Sequence, residues 1–287
     1  MNTQSTRPLA PAPTTPASRS ARSSPAPRRR RIAGTGWHGL RTLTLTEARL
    51  LLRDPGTVFF ALFFPTVLLV GVGFAFPGMR DVMTDAPPPW EGLTAVAVYV
   101  PVALATAVAT VALTTLPVYF ATFREKGALR RLSTTPMKPQ GLIGAHLFIN
   151  LVMVCVAALL AVVVGSVVFD LAGPTNLAIV LASFLLGILS MFSIGMLIAS
   201  RAGKASTASA VGMTLYFPML FLAGMWTPGP AMPEVVRTVA GYTPLGAATQ
   251  AMTTGWFGTG VPVSQLVVMA VWTVVLLPVA ARLFRWS

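Results

Sequence analysis

The sequence predicts an all-α membrane protein: six transmembrane helices, an N-terminal interfacial helix, a short charged cytoplasmic helix and an outer re-entrant helical hairpin. Three observations carry this. Of the 287 residues, 54% are hydrophobic and 10% are charged, against roughly 25% charged in ordinary soluble domains. Apolar runs recur along the chain at about 20 residues or more, the length that crosses a hydrocarbon core of roughly 30 Å. The basic residues lie outside those runs. A net charge of +13 would suggest nucleic acid in a soluble protein, but membrane topology accounts for it here, and no nucleic-acid partner is expected. The single cysteine, Cys155, sits inside an apolar run and can form no intrachain disulfide. The excess of Arg over Lys and the abundance of Ala fit a GC-rich bacterial genome.

Residues 1–36 are rich in Pro, Ser, Thr and Arg and include the run Arg28 to Arg31. Such a segment buries too little apolar surface to offset its ordering entropy, so a disordered basic cytoplasmic tail is expected. The first apolar run starts more than twenty residues after those arginines, which argues against a secretory or twin-arginine signal. The tail instead holds the N-terminus inside and meets anionic lipid. Residues 40–53, "LRTLTLTEARLLLR", then read as an interfacial helix. Glu47 falls on its apolar side among Leu40, Leu43, Leu50 and Leu51. It either reaches out to water or pairs with an arginine of the charged segment described below.

The spans are placed at 57–77, 93–120, 141–169, 177–200, 207–227 and 262–282, with kinks expected at Pro65, Pro101, Pro117, Pro218 and Pro278. With both termini inside, 19 of the 21 basic residues fall on the cytoplasmic side, and only Arg80 and Arg237 fall outside. Asp81, Asp85, Glu91, Asp170 and Glu234 all lie on the outer side. That bias predicts a multi-pass protein of the bacterial plasma membrane with cytoplasmic N and C termini. Residues 78–92 read as an irregular outer loop. Residues 228–261 carry two short pieces broken by Pro and Gly, the pattern of a re-entrant hairpin, which is tolerated where protein or a water-filled cavity surrounds it.

Between spans two and three, "FREKGALRRLSTTP" (123–136) puts five charges into fourteen residues. One reading is an anchor, with Arg124, Lys126, Arg130 and Arg131 on lipid phosphate. The other is a docking knob for a cytoplasmic partner, whose carboxylates arginines would grip in bidentate pairs. In span two, Thr106, Thr110 and Thr114 recur every fourth residue as one hydroxyl stripe. They either bond their own i−4 carbonyls and pack, or form a mildly polar wall of a path. In span five, Tyr216, Phe217, Phe221 and Trp226 supply aromatic surface for packing or for a cavity wall. His38 and His146 have no ligand-spaced partner, so no metal is expected.

The order Arg124-Glu125-Lys126-Gly127, Leu129-Arg130-Arg131-Leu132, Thr135-Pro136 resembles the cytoplasmic coupling segment of type-2 ABC exporter permeases. The stretch "FLAGMWTPGPAMPEVVRTVAGYTPLGAATQAM" (221–252) is similar to the same family after span five, where a Phe-Leu-small-Gly motif leads into an outer hairpin. Gly224, Pro228, Pro233 and Pro244 mark that hairpin here. The resemblance covers residues 37–287, and the subgroup it most suggests is the daunorubicin-resistance type of drug and antibiotic exporter. Members of the family often carry Arg near the end of the hairpin, where this chain has Met252.

The resemblance implies a six-span permease domain over 37–287 that pairs with a second permease copy, itself or a relative, and docks two cytoplasmic ATPase subunits. Segment 123–136, with Glu47, would be the coupling contact. Spans two and five would line the path, with Thr106, Thr110, Thr114, Tyr216, Phe217 and Phe221 as its candidate residues. The cargo expected is a hydrophobic drug, natural product or lipid, or alternatively a polysaccharide or lipid-linked glycan. ATP and Mg would bind the partner, and this chain would carry no cofactor and no catalytic residue. Consistent with that, no G-x-x-x-x-G-K-[ST] loop occurs, and Gly203-Lys204 is followed by Ala205. A proton-coupled secondary transporter would need ionisable groups deep in the membrane, whereas every acid here lies at a span end or in a loop. An intramembrane hydrolase would need an H-E-x-x-H, aspartate-pair or Ser/His constellation, and none is evident.

Overall fold

Residues 49, 53–127 and 139–283 are described by a computed structural model. The expected tail, Glu47 with nearly all of the interfacial helix, and Leu129, Arg130, Arg131, Leu132, Thr135 and Pro136 lie outside the described residues. In chain order the helices are α1 (Pro55–Ala75), α2 (Tyr99–Glu125), α3 (Pro139–Phe169), α4 (Leu177–Arg201), α5 (Ala205–Leu222), α6 (Glu234–Gly241), α7 (Pro244–Phe257) and α8 (Val263–Leu283). All but α6 and α7 are long and apolar enough to cross a membrane. Among the described residues there is no strand, only an isolated bridge between Val82 and Thr94.

Proline shapes two of the long helices in a way that position explains. Pro65 and Pro117 each follow a five-residue π turn, Phe59–Phe63 in α1 and Val111–Thr115 in α2. A helical proline removes an N–H and pushes its ring against the i−4 carbonyl, and widening the preceding turn relieves both. Pro101 is the third residue of α2, in the first turn, where no i−4 bond within the helix exists to be lost. Pro218 and Pro278 sit inside α5 and α8. At the start of α1, Asp54 accepts from the Thr57 amide at 3.2 Å and from its hydroxyl at 2.7 Å. Those bonds, the side-chain one first, hold the Asp54 carboxyl below the usual carboxylate range.

Two span boundaries shift from the sequence expectation. Span two begins at Tyr99 rather than 93, because residues 93–98 turn back onto the preceding loop. The Met83 amide bonds the Leu93 carbonyl at 2.9 Å, and the Val96 amide bonds the Met79 carbonyl at 2.8 Å. Val96, Ala97 and Val98 are nevertheless buried, so hydropathy alone read them as helix. Span five ends at Leu222 rather than 227. The Met225 amide reaches the Leu220 carbonyl at 3.1 Å and the Gly224 amide reaches Phe221 at 3.0 Å. With Gly224 at φ +89°, this is a Schellman closure that ends the helix before Trp226.

The core gathers around α2. Every residue from Tyr99 to Leu113 is buried, whereas α8 leaves Val267, Val271, Val274 and Val275 exposed. The π turn of α2 brings its backbone unusually close to two neighbours. A Cβ on Gly195 of α4 would lie 2.1 Å from the Ala112 carbonyl oxygen, and one on Gly212 of α5 would lie 2.1 Å from that of Leu113. Small residues at such crossings are how membrane helices approach without a hydrophobic driving force between them.

Candidate functional site

The first two charges of the coupling candidate do not project freely. Arg124 and Glu125 end α2, and Gly127 at φ +63° turns the chain away from it. Arg124 Nη1 donates to the Ala199 carbonyl at 2.9 Å and also to that of Ala202. These belong to the last turn of α4 and its cap, where carbonyls lack intrahelical partners and the helix dipole is negative. Glu125 Oε2 accepts from the Ala205 amide at 3.0 Å. Ala205 is the first residue of α5, whose own N-cap, Lys204, makes no capping bond. A cation therefore caps the end of α4 while the adjacent anion caps the start of α5. The end of span two is clamped across the α4–α5 turn. Lys126 and Gly127 follow the clamp directly, with the Lys126 amide bonded to Thr122 at 3.0 Å.

Inside the bundle the threonine stripe is back-bonded. Thr106 donates to Val102 at 2.8 Å, Thr110 to Thr106 at 2.7 Å and Thr114 to Thr110 at 2.5 Å. Thr110 Oγ1 also lies 2.9 Å from the Tyr216 hydroxyl. Because the single Thr110 proton goes to the Thr106 carbonyl, Tyr216 is the donor of that bond. It is a tie between α2 and α5. Thr106, Thr110 and Tyr216 are buried, whereas Phe217 and Phe221 face outward, 57% and 43% exposed. The six candidates therefore do not converge on one wall within a single chain. His146 is buried and stacks on Tyr119, ring centroids 3.3 Å apart.

At the opposite end of α2, a cavity of about 580 Å³ lies among the loop before α2, the end of α5, and α7. Its polar lining includes Arg237, Thr249, Gln250, Thr253, Thr254 and Gln265, and its apolar lining includes Val98, Val102 and Leu222. A second cavity of about 370 Å³ shares Arg237, Gln250 and Gln265. The polar wall is held in place by hydrogen bonds. Gln250 Nε2 donates to the Arg237 carbonyl at 2.7 Å, and Gln265 Nε2 to Gln250 Oε1 at 3.3 Å. Thr243 caps α7 by accepting from the Gly246 amide at 3.2 Å. The far end of α7 is fixed by the Asn176 amide on Gly255 at 2.8 Å and the Trp256 indole N–H on Ala172 at 3.1 Å.

Of the residues expected in the outer hairpin, Gly224 ends α5, Pro228 precedes the 3₁₀ turn Gly229–Ala231, and Pro233 and Pro244 open α6 and α7. Met252 is fully buried in α7, where an arginine would place an unpaired charge in the core. Sequence reasoning passed over the cavity wall. Its signal was present: Gly246, Thr249, Gln250, Thr253 and Thr254 repeat at helical spacing along one face of α7. The α4–α5 clamp had no such signal, since it joins residues about 80 positions apart.

Residues 38–257 match the family model described as ABC-2 type transporter. A search of curated proteins finds no match.

Proposed function

The chain belongs to the ABC-2 type transporter family, and from that membership we propose that it is the permease subunit of an ATP-driven exporter of the daunorubicin-resistance kind. Members of this family are the membrane component of ABC transporters, not themselves catalytic, and work with ABC ATPase subunits. In this reading two permease chains, identical or related, enclose the path, and two ATPase subunits supply ATP and Mg from beneath. Both termini face the cytoplasm of a bacterial cell, and the cargo is a hydrophobic drug, natural product or lipid.

The observation that carries the reading is the double cap made by Arg124 and Glu125. A coupling segment must pass movement of a docked subunit into the membrane helices. Here the residues that open the segment hold the end of α4 and the start of α5. A displacement of 123–136 therefore acts on α2, α4 and α5 together. The Thr110–Tyr216 bond ties α2 to α5 again nearer the bundle centre.

ATPase activity of the purified permease, alone and co-expressed with its nucleotide-binding subunit, tests the reading. Activity is expected only in the complex, and Arg130→Ala/Arg131→Ala is expected to lose assembly or substrate-stimulated turnover. Full assembly and stimulation in that variant would leave 123–136 as a lipid anchor only.

A further inference from the structure

We propose that the cavity walled by α7 is a binding site for an anionic amphiphile. A carboxylate or phosphate headgroup sits at Arg237, and its apolar body lies against Val98, Val102 and Leu222. Among the described residues, Arg237 is the only charged one lining either of the two cavities. Glu234, one turn earlier on α6, lines neither. The guanidinium presents a fork of donors that fits a carboxylate or phosphate in two parallel bonds. Gln250 and Gln265 each spend one amide proton on the hydrogen bonds that fix the wall, which leaves the second for a ligand. Thr249 and Thr254 donate their protons to the Leu245 and Gln250 carbonyls, so these two hydroxyls present acceptors to the cavity. Arg237 and the remaining amide protons of Gln250 and Gln265 thus supply donors, and Val98, Val102 and Leu222 supply hydrocarbon surface. A volume of about 580 Å³ suits a molecule of drug or single-chain lipid size.

Topology supplies an independent argument. In the orientation favoured by the charge distribution, Arg237 is one of only two basic residues on the outer side. The rule that gathers the other 19 inside gives no reason for it, whereas an acidic ligand does. Whether that ligand is exported cargo or a resident lipid rests on the exporter reading, but the binding chemistry does not.

The test uses the full-length permease in phosphatidylcholine nanodiscs, titrated with the fluorescent fatty acid cis-parinaric acid and with its methyl ester, each measured above empty nanodiscs. The acid is expected to bind. Arg237→Gln should weaken it by about tenfold or more, the loss of a charge-assisted bond, while Arg237→Lys keeps most of the affinity. The ester should be weak and indifferent to both substitutions. Equal binding of acid and ester, or an unchanged Arg237→Gln, overturns the proposal. Displacement of the probe by phosphatidylglycerol in the disc identifies a lipid headgroup as the occupant. Resistance to displacement, with stimulation of the complex's ATPase by the acid, identifies cargo. No ATPase subunit is needed for the binding step, so failure of the exporter reading would leave this result standing, and the reverse.

Discussion

Charge and hydroxyl pairs in this bundle are asymmetric, and single substitutions expose the asymmetry. Arg124 is half-buried and bonds two carbonyls at the end of α4, so Arg124→Ala should lower stability in detergent by about 1.5–3 kcal/mol. Glu125 is exposed at the start of α5, and Glu125→Ala should lower it by only about 0.5 kcal/mol. Thermal unfolding of the two variants checks the order. The Thr110–Tyr216 pair behaves differently from its two sides. Tyr216→Phe leaves Thr110 bonded to the Thr106 carbonyl and should cost under about 1 kcal/mol. Thr110→Val strands a buried tyrosine hydroxyl and should cost about 1–3 kcal/mol. Equal costs would mean that Tyr216 finds another partner. The stripe of span two was legible as a stripe, and its back-bonding follows from the i, i+4 spacing alone. Its tie to Tyr216 was not legible, because nothing local relates positions 106 residues apart.

Helices carry the next level of constraint, and the π turns show how. Five prolines within spans looked alike in the sequence, but their effect depends on where each helix begins. Pro101 falls in a first turn, where it removes no intrahelical bond, while Pro65 and Pro117 follow widened turns. The start of α2 could not be read correctly because residues 93–98 are as apolar as a helix and are held by loop hydrogen bonds instead. Where the widened turn of α2 presents its carbonyls, α4 and α5 each place a glycine. Gly195→Ala and Gly212→Ala should each destabilise the bundle by about 2–3 kcal/mol, since a backbone oxygen cannot yield as a flexible side chain would. A control such as Gly71→Ala, whose Cβ meets nothing within 4 Å, should be nearly neutral. Unfolding temperatures that rank the three alike would remove the close approach as an organising contact.

At the scale of the whole molecule, six spans were legible because each apolar run is long and bounded by Pro, Gly or charge. The proposed orientation rests on a count of basic residues that no single helix reveals. What remained hidden was tertiary: the clamp of α2 on the α4–α5 turn, and the cavity assembled from the loop before α2 and residues of α2, α5, α6, α7 and α8. Both lie at opposite ends of the same central helix, and α2 runs for 27 residues, about 40 Å at the helical rise. In the proposed exporter, ATP-driven movement enters at the clamped end and transport follows it. The most direct measurement is accumulation of daunorubicin in inside-out vesicles carrying the permease and its ATPase subunit. Accumulation should require ATP and both chains and should survive a protonophore. Glu125→Ala, although assembled, should keep hydrolysing ATP while accumulating less. Accumulation that follows a proton gradient without the ATPase subunit would contradict the account.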